Sequence, residues 1–72
     1  STNNSINVFP NPTPNGMIYI DGIQEPFEYY LFNISGKLVK MGSENDIQIL
    51  RKGVYILKIK KEKSIIFRKI IY

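Results

Sequence analysis

The fold of this 72-residue chain is decided by residues 54–60, which read Val-Tyr-Ile-Leu-Lys-Ile-Lys. Side chains of an extended strand alternate between two faces, so Tyr55, Leu57 and Ile59 share one face. The two lysines of the segment share the other face. This alternation predicts a strand that buries its apolar face in a core and leaves its lysines in solvent.

Six further segments of β-forming residues flank this strand, separated by turn signals rich in Gly, Pro, Asn and Ser. They cover residues 6–9, 17–21, 27–33, 38–42, 46–50 and 64–72. Segment 27–33 has β-forming residues on both faces, which predicts a central strand. Residues 35–37 (Ser-Gly-Lys) predict a hairpin turn. About seven short strands without an amphipathic helix predict an all-β sandwich or barrel built from hairpins.

The composition excludes most enzyme chemistry. The chain has no Cys and no His, so it lacks the residues for a disulfide framework, the usual zinc sites, a thiol nucleophile or an imidazole base. Its six Asp and Glu are scattered, and no Asp-x-Asp or Asp-x-Asn run collects ligands for calcium. We expect no catalytic activity, no cofactor and no metal site.

The two ends of the chain differ in character. Residues 1–5 are polar and are predicted to be a linker, with residues 6–72 forming one small domain. No apolar run approaches the ~20 residues that span a bilayer, so we expect no membrane span. Residues 51–72 contain eight Lys or Arg and a single Glu. Positive charge is therefore concentrated at the C-terminal end.

Three interpretations of this charge are open. The lysines could form a solvated face that protects an exposed sheet edge, or they could bind an acidic or anionic partner. The third interpretation is a nucleic-acid-binding barrel, in which aromatic side chains stack on bases. Tyr55, Phe67 and Tyr72 are surrounded in sequence by Ile and Leu, so we expect them to pack in the core. That expectation disfavours nucleic-acid binding.

Four motifs follow one another along the chain. They are Val8-Phe9-Pro10-Asn11-Pro12 with Gly16, the stretch 31–39 that closes in Ser-Gly-Lys-Leu-Val, the stretch 50–59 that begins Leu-Arg-Lys-Gly-Val-Tyr, and Lys69-Ile70-Ile71-Tyr72. In this order and spacing, over residues 6–72, they resemble the type A C-terminal sorting domain of the type IX secretion system of Bacteroidetes. The sorting-motif residues implied by the resemblance are Pro10, Asn11, Pro12, Gly16, Gly36, Lys37, Val39, Leu50, Gly53, Tyr55 and Ile59.

The resemblance implies a seven-stranded, immunoglobulin-like antiparallel β-sandwich that acts as the address label of a larger protein. An upstream cargo domain, joined through residues 1–5, would pass through the periplasm and be taken across the outer membrane by the type IX translocon. A sortase-like peptidase would then remove the sorting domain, leaving the cargo secreted or at the cell surface. The alternative is an immunoglobulin-like or carbohydrate-binding accessory module that is retained on a secreted protein.

The basic C-terminal end is also the predicted contact of the translocon. The residues expected to make this contact are four cations, which steer the domain toward an acidic surface, and three apolar residues at the end of the chain: Lys58, Lys60, Arg68, Lys69, Ile70, Ile71 and Tyr72. Strand addition to an exposed edge is one geometry for this contact. The Pro-Asn-Pro loop, Gly36 and Gly53 are expected to hold the fold instead.

Overall fold

The computed structural model describes residues 6–72, so the predicted linker at residues 1–5 lies outside the described residues. Residues 6–72 form seven β-strands: β1 (Asn7–Phe9), β2 (Met17–Asp21), β3 (Phe27–Asn33), β4 (Leu38–Gly42), β5 (Asp46–Gln48), β6 (Val54–Lys61) and β7 (Ser64–Ile71). Each of the seven predicted strands is present, with ends that differ from the prediction by at most two residues. The division of the chain into linker and domain stays a prediction.

The strands form two antiparallel sheets, which settles the choice between sandwich and barrel. One sheet has the order β1-β2-β5 and the other the order β4-β3-β6-β7. The connections after β2, β4 and β5 each cross from one sheet to the other, so the chain builds a two-layer sandwich. β3 lies between β4 and β6, which confirms that it is a central strand. The predicted all-β, immunoglobulin-like β-sandwich is confirmed.

The core lies between the two sheets and consists almost entirely of aliphatic side chains. On β6, Tyr55, Leu57 and Ile59 point into it while Lys58 and Lys60 point out, as the alternation predicts. The buried hydrophobic residues are Ile6, Ile18, Ile20, Tyr29, Leu31, Ile47, Ile49, Tyr55, Leu57, Ile59 and Ile70. At roughly 25 cal/mol per Å² of apolar surface, burial of this set is the main force holding the layers together.

A tyrosine corner fixes the entry into β6. The Tyr55 hydroxyl donates a 2.6 Å hydrogen bond to the carbonyl oxygen of Arg51, four residues upstream. Such a bond, from a tyrosine near the start of the sixth strand, is a hallmark of immunoglobulin-like sandwiches. The sequence pattern predicted the buried position of Tyr55 but not this bond.

Two glycines of the sorting motif adopt backbone conformations that other residues rarely occupy. Gly16 has φ of +86° and Gly36 has φ of +87°, both in the left-handed region where a Cβ atom is costly. At Gly16 a Cβ would also collide with the carbonyl oxygen of Ile49. Gly36 stands in open space in the β3–β4 turn. The third motif glycine, Gly53, has φ of +158° and is nearly extended.

Candidate recognition surface

The loop between β1 and β2 closes the outer edge of β7. The Asn11 side chain donates a 2.7 Å hydrogen bond from Nδ2 to the Lys69 carbonyl and accepts a 3.0 Å bond at Oδ1 from the Ile71 backbone N–H. The Thr13 backbone N–H donates to the Ile71 carbonyl at 2.8 Å. The Asn11 amide thus pairs with β7 as the backbone of a neighbouring strand would, and the C-terminal half of this edge is not free.

Arg68 covers part of the N-terminal half of the β7 edge. Its guanidinium donates to the Phe67 carbonyl at 3.0 Å and to the carbonyl of Ile6, the residue before β1, at 3.4 Å. In an antiparallel ladder the backbone groups of alternate residues point away from the neighbouring strand. Ile65 and Phe67 therefore share the outward direction of Lys69 and Ile71, and they form the short open part of the edge.

The last residue of the chain is tied to the sheet. The backbones of Tyr72 and Gly53 exchange two hydrogen bonds of 3.0 Å, which continue the β6–β7 ladder beyond the end of β7. The Tyr72 side chain is half-buried and packs against the core. The C-terminal end is thus part of the folded body in this structure.

The solvent-facing side of the four-stranded sheet is both apolar and basic. Here we call it the outer face. Its exposed apolar and basic side chains are Leu38 and Met41 on β4, Ile56 and Lys60 on β6, and Ile65, Phe67, Lys69 and Ile71 on β7. The half-buried Lys58 lies among them, with its Nζ atom 5.5 Å from the centre of the Tyr30 ring. Exposed apolar side chains so close together are unusual on a free monomer surface.

The expectation that Phe67 packs in the core is wrong. Phe67 lies opposite Lys58 in the β6–β7 ladder, and its side chain is 59% exposed on the outer face. Its neighbour in sequence, Ile66, takes the inward position. Because β7 alternates, Phe67 is on the same side as Lys69. Tyr55 and Tyr72 do pack against the core, as expected.

Few carboxylates offset the lysines of the outer face. Among the described strands Glu28 is the only acid on this side, and it accepts a 2.7 Å hydrogen bond from the Tyr30 hydroxyl, which raises the pKa of Tyr30. Glu25 lies beyond the sheet end, 3.2 Å from Lys61. A hydrogen bond from its own backbone and the contact with Lys61 lower the pKa of Glu25. The outer face therefore keeps a positive field.

An open cleft lies on the opposite side of the sandwich from β7, between the edge strands β4 and β5. It has a volume of about 490 Å³. Its floor is apolar, and its rim carries Lys40 and Arg51, with Val39, Ile49, Leu50 and Tyr55 among the lining residues. Val39 points toward the cleft because β4 carries a bulge there: Leu31 pairs with Lys40 and Phe32 with Leu38. The sequence pattern did not predict this cleft.

The family model for the secretion-system C-terminal sorting domain matches residues 7–72. The chain belongs to this family. No curated protein matches the sequence. The sorting domain is thus a C-terminal signal for type IX secretion, and its family is one of sorting signals, not of catalysts. A protein that carries it interacts with the type IX machinery and is exported to the cell surface or secreted.

The sorting-motif residues fall into three groups in the structure. Those that build loops and turns are Pro10, Asn11, Pro12, Gly16, Gly36, Lys37 and Gly53, and those buried in the core are Tyr55 and Ile59. The peptide bonds before Pro10 and Pro12 are both cis. Val39 and Leu50 are exposed, at 46% and 85%, and have no core position. Their exposure separates them from the motif residues that serve the fold.

The predicted translocon-recognition residues do not all lie on one surface. Lys58, Lys60, Lys69 and Ile71 are together on the outer face. The other three are placed differently: Ile70 is buried in the core, Tyr72 packs at the sheet end, and Arg68 bonds to the Ile6 and Phe67 carbonyls. Residues 6–72 contain no helix that could cross a membrane. Nor do these residues bring three metal-ligating side chains together.

Proposed function

We propose that the type IX translocon recognises this sorting domain through the outer face. The observation that carries the proposal is the mixture of Lys58, Lys60 and Lys69 with exposed apolar side chains, Phe67 and Ile71 among them. Lysines at the margin of an apolar surface raise the rate of encounter with an acidic partner, and the apolar side chains then hold the complex by burial. Arg68, Ile70 and Tyr72 support this surface from the edge, the core and the sheet end.

Contact through the face agrees with the geometry better than strand addition along β7. The loop residues Asn11 and Thr13 already occupy the backbone groups of Lys69 and Ile71. A partner strand would have to displace the loop or to pair only beside Ile65 and Phe67. Face contact needs neither change.

We infer further that the domain directs the export of an upstream cargo domain and is then removed by proteolysis. The cargo crosses the periplasm, the domain engages the translocon, and a sortase-like peptidase cuts upstream of β1. The domain itself takes no part in catalysis and uses no cofactor. The mass of the mature exported protein tests its removal. A mature protein that still contains residues 6–72 would instead favour a retained accessory module.

The test of the outer face is a delivery assay with a charge-matched control. The 72-residue chain is fused behind a neutral reporter in a host with a type IX system, and the reporter at the cell surface or in the medium is quantified. Lys58→Glu with Lys69→Glu reverses two charges on the outer face. Lys52→Glu with Lys63→Glu reverses two charges in exposed connections between strands, at positions outside the sorting motif. We expect the first pair to reduce delivery by about tenfold or more and the second to leave it nearly unchanged.

One additional variant tests the apolar part of the outer face. Phe67→Ser removes an exposed apolar side chain without altering charge, and we expect it to reduce delivery as well. Deletion of residues 69–72 is less informative, because it takes Ile70 out of the core and Tyr72 off the ladder. Thermal unfolding of the purified variants reports whether they are folded. Equal delivery by both charge-reversed pairs, with all variants folded, would refute the outer face as the contact.

A further inference from the structure

The cleft between β4 and β5 contains apolar side chains that stay exposed after folding and add little to the core. Leu50 follows β5 and is 85% exposed, so it contributes little burial to the core. Val39 is brought to the same cleft by the bulge in β4. Beneath them, Ile49 and Tyr55 belong to the core and give the cleft a firm floor. Two edge strands and a bulge thus present an apolar recess to solvent.

The rim of this cleft is basic. Lys40 donates one hydrogen bond, from Nζ to the Gln48 carbonyl at 3.3 Å, and an ammonium group has two further donors. The Arg51 carbonyl is engaged by Tyr55, which holds the backbone beside the cleft in place while the Arg51 side chain is exposed. Among residues 6–72, no Asp or Glu lines the cleft. Two cations without a nearby acid favour a ligand that brings its own carboxylate.

We propose that this cleft is a second docking site, which takes an acidic segment of a partner protein with one large apolar side chain beside a carboxylate. The apolar side chain enters between Val39 and Leu50, and the carboxylate reaches Arg51 or Lys40. A volume of about 490 Å³ is within the range of about 300–1,000 Å³ that is typical of small-ligand sites. Because β4 and β7 are at opposite ends of the four-stranded sheet, the cleft and the outer part of β7 can be occupied together.

This inference does not depend on the outer face being the translocon contact. The two surfaces share none of the residues on which their tests rest, so variants of one leave the other intact. Failure of the charge-reversed outer-face variants would leave the cleft proposal standing, and the reverse also holds.

The test is a titration of the isotope-labelled 72-residue chain with a panel of short, end-blocked peptides, followed by backbone amide chemical shifts. Each peptide carries Leu, Phe or Tyr next to Asp or Glu, in Gly and Ser flanks. We expect at least one peptide to cause saturable shifts centred on Val39, Leu50 and Arg51, with Kd of about 0.1–1 mM. Matched peptides with Lys in place of the acid, or Ala in place of the apolar residue, should bind at least about fivefold more weakly.

Variants on the protein side identify the site. Leu50→Ser and Arg51→Glu should each weaken the best peptide by about fivefold or more, because both residues are exposed and their loss leaves the core unchanged. The matched controls are Leu38→Ser and Lys37→Glu, which make similar changes outside the cleft and should leave the affinity unchanged.

Four outcomes would overturn the proposal. The first is the lack of saturable cleft shifts with every peptide up to about 5 mM. The second is equal binding of the Lys-containing peptides. The third is a concentration-dependent shift of the cleft without peptide, which would make a second copy of the chain the occupant. The fourth is binding to phosphatidylglycerol vesicles that Leu50→Ser abolishes, which would make the occupant an anionic lipid.

Discussion

The two lateral sides of the sandwich differ in how far their strand edges are covered. We call the β7 side the closed side and the β4–β5 side the open side. At β7, the Asn11 side chain, the Thr13 backbone and the Arg68 guanidinium bind the outward carbonyl and amide groups, and the edge is largely closed. At β4 and β5, Lys40 donates a hydrogen bond across the sheets to the Gln48 carbonyl beside an open apolar cleft. Exposed strand edges invite unwanted pairing, and closing one of them directs partners elsewhere. The closed side serves stability, and we expect the open side to serve contact.

The largest expected effect compares two left-handed glycines of the sorting motif, one in the loop of the closed side and one in the hairpin of the open side. Gly16→Ala should lower the free energy of unfolding by about 3–5 kcal/mol, since the new Cβ meets the rigid Ile49 carbonyl as well as an unfavourable φ. Gly36→Ala, at almost the same φ but in open space, should cost only about 1–2 kcal/mol. Urea unfolding of both variants measures the two values.

The difference between these two glycine variants isolates the steric contact, because the conformational cost is shared. A Gly36→Ala variant as unstable as Gly16→Ala would contradict the assignment of that difference to the Ile49 carbonyl. It would also indicate that the open side is as tightly packed as the closed one.

The second prediction compares the side-chain hydrogen bonds on the closed side with the one on the open side. Asn11→Ala removes both the donor to Lys69 and the acceptor for Ile71, and should lower the free energy of unfolding by about 1–3 kcal/mol. Lys40→Met removes the 3.3 Å bond to Gln48 and should change it by less than about 0.5 kcal/mol. Hydrogen exchange of the Ile71 amide should rise in the first variant. Equal unfolding energies for the two would remove the distinction between a closed and an open side.

Much of the fold could be predicted from the sequence, because strand alternation and turn residues are local signals. The alternation of residues 54–60 placed three core residues and two lysines correctly. The outward position of Phe67 was missed because β7 is rich in Ile on both faces, so its pattern does not distinguish core from solvent. Apolar residues on both faces of a strand are ambiguous until the sheet is assembled.

Neither the closed edge nor the cleft could be predicted, because both depend on contacts between distant residues. Asn11 meets Lys69 across 58 positions of the chain, and no periodicity reports such a pairing. The cleft depends on a one-residue bulge that turns Val39 toward Leu50. For the candidate sites, the sequence indicated which motif residues and which positive charges to consider. Which of them lie on the outer face and which in the cleft became clear only from the three-dimensional fold.

The third prediction concerns how the floor of the open side is held. Tyr55→Phe removes the 2.6 Å bond to the Arg51 carbonyl and should lower the free energy of unfolding by about 1 kcal/mol. Tyr29→Phe is the matched control, because the buried Tyr29 hydroxyl, although close to Glu44, makes no hydrogen bond of acceptable geometry among the described residues. Burial, with Glu44 and Asp46 nearby, raises the pKa of Tyr29, so this hydroxyl stays protonated at neutral pH. Its removal should be neutral or stabilising, and a loss equal to that of Tyr55→Phe would contradict the special role of the corner.

The smallest expected effect is the most informative about the open side. Leu50→Ser should change the free energy of unfolding by less than about 0.5 kcal/mol, because a side chain that is 85% exposed gains little from folding. Leu57→Ser, in the core, should be severely destabilising by comparison. A large loss on Leu50→Ser would mean that the cleft is part of the folding core and that the open side is closed in solution. A negligible loss would show that folding does not depend on Leu50, and would leave this side chain available for the docking that we propose at the cleft.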